Sequence, residues 1–75
     1  MANPNTNTNE IAEREIRRGI ISDATIILDL FNKQYVKSIA KYDRFNDVKE
    51  KDYCITLLHR MRLEIDRVEK TLIQH

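Results

Sequence analysis

The 75-residue chain contains no tryptophan and a single glycine, proline and cysteine, and each scarcity excludes something. With only Cys54, no disulfide can form within one chain. A structural zinc site is equally poorly supplied, because His59 and His75 stand far apart and no thiolate cluster accompanies them. No glycine-rich loop is present to cradle a phosphate. The Glu placed three residues before His in di-iron bundles is also missing, since Thr56 stands before His59 in that position. The N-terminus lacks a basic segment leading into an apolar one. The most apolar window, Ile20 to Phe31, is broken by Ser22, Asp23, Thr25 and Asp29. A cytoplasmic, reducing setting is the expectation, and it suits a free thiol. Thirteen Lys and Arg oppose twelve Asp and Glu, a formal charge of +1. No global field drives the chain onto nucleic acid or a membrane, and any anion site must be local.

The placement of the two chain breakers decides the fold class. The proline lies within MANPNTNTN, an Asn/Thr-rich opening that carries too little apolar surface to offset its ordering entropy, so residues 1–8 read as a flexible arm. Beyond Asn9 only Gly19 interrupts, which argues for long helices over a meander of strands. Asn7 with Glu10 has capping-box spacing, and Arg14, Arg17 and Arg18 gather before Gly19, giving a short helix over about 9–18. Gly19 then stops or bends the chain, although a continuous helix is a close alternative. A long helix follows over about 20–45. On it Ile20, Ile21, Ala24, Ile27, Leu28, Phe31, Tyr35, Ile39, Tyr42 and Phe45 share one broad apolar face.

Asn46 and Asp47 form the turn, Asp47 and Glu50 repeat the capping-box spacing, and a second long helix spans about 48–73. Cys54, Leu58, Met61, Ile65, Val68 and Leu72 alternate four and three residues apart, the spacing of a coiled-coil seam. The short connection makes these helices antiparallel neighbours. The expectation for residues 9–75 is therefore a single all-α domain: an antiparallel helical hairpin with a short N-terminal helix, assembling into a homo-oligomeric helical bundle. A chain this short buries only about 60% of its unfolded surface, and with disulfides and metals set aside, self-association is the remaining support. Ile26 and Leu30 project away from the main stripe; with Ile27 and Phe31 they are the candidate oligomer interface.

Catalytic machinery is not expected. A nucleophile needs an adjacent base and an orienting group, whereas Cys54 sits on the packing seam and His59 lies off it on the wetter side. No cofactor and no metal are called for. Binding has more to work with. Lys33, Lys37, Lys41 and Arg44 recur at spacings of four, four and three and form a cationic ridge, while Arg14, Arg17 and Arg18 make a second cluster. Together these seven are the candidate phosphate or anion ligands, converging across subunits of an oligomer.

The leading functional expectation is a non-catalytic binding or regulatory module that docks on a macromolecular partner, as many small proteins of phages and mobile elements do. In size and helical character the chain also resembles the phage-encoded sponges that sequester immune-signalling nucleotides. That likeness is one of class, without a shared motif, and it implies an oligomer that captures a phosphate-bearing nucleotide signal. Nucleic-acid binding through the ridge is a weaker alternative, given the near-neutral charge.

Overall fold

A computed structural model of the chain describes residues 4–74, with side-chain surroundings from Glu10 onward. It contains two α-helices, α1 (Pro4–Phe45) and α2 (Val48–Gln74), packed against each other as an antiparallel hairpin. The all-α hairpin expected from breaker count and periodicity is the observed architecture. Of the arm assigned to residues 1–8, Met1 to Asn3 lie outside the described residues. The backbone is helical from Pro4, a residue whose fixed φ and missing N–H suit the first helical position.

No separate short helix precedes the long one: α1 runs unbroken through Gly19. A glycine ends a helix by adopting positive φ, and Gly19 does not. It simply occupies an exposed helical position. The left-handed residue is instead Asn46, with φ 53°. Its N–H donates to the Tyr42 carbonyl at 2.7 Å, closing α1 with the single bond of an αL cap. Asp47 then caps α2. Its side chain accepts the Lys49 N–H at 2.9 Å, and its carbonyl accepts the Lys51 N–H at 3.1 Å. Glu50 does not complete a capping box. Its carboxylate crosses to α1 and accepts a hydrogen bond from the Ser38 hydroxyl.

The packing seam follows heptad spacing on both helices. From α1 it takes Ile21, Ala24, Leu28, Phe31, Tyr35, Ser38 and Tyr42, and from α2 it takes Glu50, Cys54, Leu57, Met61, Glu64, Val68 and Thr71. Two expected inward residues are corrected. Phe45 is 67% exposed, beyond the last turn that α2 can cover, and Ile39 lies on the rim while Ser38 takes the buried place. On α2 the regular row Cys54, Leu58, Met61, Ile65, Val68, Leu72 contributes only Cys54, Met61 and Val68 to the hairpin. Leu57, Glu64 and Thr71 occupy the other seam positions, and Leu58, Ile65 and Leu72 remain exposed. The buried hydroxyls are satisfied, one within its helix and one across the seam: Thr71 donates to the Arg67 carbonyl at 2.7 Å, and Ser38 also reaches the Glu50 carbonyl at 3.3 Å.

The helices are unequal, 42 residues against 27. Roughly fifteen residues of α1, a length of about 22 Å, therefore project beyond the C-terminal end of α2. The hairpin is accordingly a rod, 68 × 16 × 11 Å. Among the described residues no helix is long and apolar enough to cross a membrane.

Candidate functional site

The two sides of the hairpin differ in chemistry. On one, α1 contributes Gln34, Lys37, Ser38 and Lys41, and α2 contributes Lys49, Glu50 and Tyr53, to an open groove of roughly 330 Å³ near the closed end. Helical periodicity aligns Gln34, Lys37 and Lys41 along one edge. The Asp47 cap fixes the first turn of α2, which brings Lys49 and Tyr53 to the other. The Tyr53 hydroxyl donates to Gln34 Oε1 at 3.0 Å, tying the walls together. Three ammonium groups thus border a groove containing one carboxylate, Glu50, which is itself engaged by Ser38. Such a place suits an anionic group held by several point charges.

The seven expected anion ligands are not used alike. Lys37 and Lys41 enter this groove. Lys33 instead pairs with Asp29 one turn back, at 3.0 Å, and Arg44 lies over the Phe45 ring, 5.2 Å from its centroid. Arg14 and Arg17 sit with Glu10 and Glu13 around a shallow polar hollow on the projecting part of α1, and Arg18 is exposed. Fifteen residues separate Arg18 from Lys33, about 22 Å along one helix, so the two basic clusters do not meet within a chain. Sequence reasoning missed Lys49 and Tyr53. Counting outward from the Asn46–Asp47 turn places Lys49 level with Arg44, within one helical turn of Lys41, and was the signal available.

The other side is apolar. Thr25 and Leu28 of α1 and Ile65, Val68, Glu69, Leu72 and Ile73 of α2 line a second groove, roughly 440 Å³. Helical repeats extend this surface. Leu58 lies two turns before Ile65, Ile55 five turns before Ile73, and Ile39 three turns beyond Leu28. All three are exposed. The interface candidates fall elsewhere: Ile26 and Leu30 are exposed on the outer face of α1, whereas Ile27 and Phe31 are half-buried toward α2.

Cys54 is buried, His59 is exposed, and among the described residues no three His, Cys, Asp or Glu side chains gather around a common point. No protein-family model, curated protein or solved structure matches this chain. The class that fold and surfaces define is a two-helix antiparallel hairpin with a lysine-bordered groove on one side and an apolar face on the other.

Proposed function

We propose that the protein is a non-catalytic, homo-oligomeric binding module that docks through its lysine-bordered groove on an acidic surface of a macromolecular partner. The observation that carries this reading is the convergence of Lys37, Lys41 and Lys49 from two helices onto one concave place. Individually, exposed lysines contribute little. Gathered beside a groove with a hydroxyl at its wall, they give a field with position and direction. The apolar face serves assembly, and a reducing cytoplasmic setting suits the free thiol of Cys54.

The test is charge reversal: Lys37→Glu with Lys49→Glu should abolish capture of an acidic partner while leaving far-UV helicity unchanged. Retained capture by the reversed protein would end the reading.

A second reading takes the same groove as the receptor for a phosphate-bearing nucleotide, as in an oligomeric sequestering protein. Its volume lies at the small end of ligand sites, and Tyr53 offers a ring beside the lysines. A ligand bound only by the folded form raises the melting temperature by mass action. A panel of mono-, di- and cyclic nucleotides that leaves it unmoved would dismiss this reading. Nucleic-acid binding through the lysines is the weaker alternative, and it requires affinity that falls steeply with salt.

A further inference from the structure

The hairpin uses half of what α2 offers. One row of α2, Cys54, Leu57, Met61, Glu64, Val68 and Thr71, closes against α1. A second row with the same four-three spacing, Cys54, Leu58, Met61, Ile65, Val68 and Leu72, shares every other member and is turned partly away from α1. A helix that carries two such rows is built to touch two neighbours, as helices of four-helix bundles do. Among the described residues only one neighbour, α1, is present.

We infer that the second neighbour is another copy of this chain, packed antiparallel across the face that carries Leu58, Ile65 and Leu72, with the twofold axis passing between the two copies of Ile65. Three features on different parts of the molecule agree with that occupant. The first is extent. At 27 residues, α2 is about 40 Å long, and two helices side by side span about 20 Å. Pairing about Ile65 overlaps the two α2 helices over residues 56–74, about 28 Å, so the doubled face offers roughly 550 Å² per partner, and the projecting part of α1 laid over the partner's closed end brings the total toward the roughly 800 Å² of a standard stable interface.

The second is the symmetry of the row. Leu58 and Leu72 each lie seven residues from Ile65, so an antiparallel copy sets Leu58 against the partner's Leu72 and Ile65 against the partner's Ile65. The same register brings Arg62 to the partner's Glu69 within one residue's rise, about 1.5 Å, twice over. The interface is thus self-complementary in charge as well as in shape.

The third is the unequal helix length. Leu28 lines the same groove as Ile65 and stands level with it. Ile11 lies seventeen residues before Leu28 and Phe45 seventeen after. Pairing about Ile65 therefore carries the projecting part of α1 over the partner's closed end, with Ile11 level with the partner's Phe45. Both residues are exposed in the single hairpin. The projection, which alone would be a marginal helix in water, gains a surface to lie on.

The inference rests on the oligomeric part of the proposed function and leaves the docking of an acidic partner to its own test. Light scattering of the full chain should give twice 8.9 kDa. Ile65→Asp should halve that mass with far-UV helicity retained; if that variant loses helicity, Leu72→Lys, further toward the end of α2, takes its place. In a Cys54→Ser background, Ile65→Cys should oxidise to a covalently linked pair, whereas Ile26→Cys on the outer face of α1 should not. A wild-type mass of one chain at every concentration overturns the pairing and the oligomeric part of the proposed function, while capture of an acidic partner by that monomer would still uphold its docking part. A dimer unaffected by both charged variants overturns the choice of face. A dimer that does not link through Ile65→Cys overturns the antiparallel register and sets α2 against the partner's α1.

Discussion

Leu57 and Leu58 are neighbours in sequence and opposites in environment: Leu57 is 1% exposed and Leu58 37%. A step of one residue turns about 100° around a helix, enough to carry a side chain from the hairpin seam to its flank. Leu57→Ala removes the most completely buried large side chain and leaves a cavity. It should cost about 2–5 kcal/mol, a large share of the whole stability of a chain this size. Leu58→Ala should cost well under half as much in the dissociated chain. Urea titrations of both variants at low protein concentration check the order; equal losses would place the seam wrongly.

That pair also marks how far the sequence could be read. Periodicity is enough to find both helices and the Asn46–Asp47 turn, because breakers are rare and the turn residues are those a left-handed cap and an N-cap require. It finds the 54, 58, 61, 65, 68, 72 row as well, but cannot tell which neighbour the row meets. Choosing apolar residues wherever possible misses that the hairpin seam accepts Ser38, Glu64 and Thr71. Two of these are admitted by hydrogen bonds, Thr71 to the Arg67 carbonyl within α2 and Ser38 to Glu50 across the seam, and the second appears only once the helices are docked. The groove was half legible for the same reason: Lys37 and Lys41 follow from one helix's spacing, while Lys49 and Tyr53 need the pairing of two.

Gly19 offers a clean test of continuity. It has an ordinary helical backbone, and an added methyl group would meet nothing within 4 Å. Gly19→Ala should therefore stabilise α1 by up to about 1 kcal/mol, the propensity difference between the two residues in a helix interior. For a domain of this size that is a rise of about 4–8 °C in melting temperature. A fall in melting temperature would mean that the chain bends or stops at Gly19 after all.

At the closed end, Asn46 and Asp47 act in different ways and should respond to different substitutions. Asn46→Gly keeps positive φ accessible and should be close to neutral, whereas Asn46→Val forces a β-branched side chain into the left-handed region and should cost about 1–2 kcal/mol. Asp47→Ala removes the acceptor of the Lys49 N–H and should cost about 1 kcal/mol. Chemical denaturation of the three variants checks the contrast, and a harmful Asn46→Gly would contradict the cap geometry.

Glu64 is the one seam residue whose polarity is left badly matched. Its side chain is only 12% exposed, and Arg67 approaches Oε2 at 3.6 Å, too far for a good hydrogen bond. That oxygen has no hydrogen-bond partner among the described residues. Withdrawing a carboxylate from water this far carries a desolvation cost that a distant, half-exposed arginine offsets only in part. Glu64→Leu continues the apolar seam between Met61 and Val68 and should raise stability by about 1–2 kcal/mol, read as a higher urea midpoint at unchanged slope. Glu64→Gln, which keeps the shape and removes the charge, should recover a smaller part of that gain. If both variants were instead less stable than the wild type, Glu64 would have a partner that the hairpin alone does not supply, and the face opposite the apolar groove would become the place to look for it.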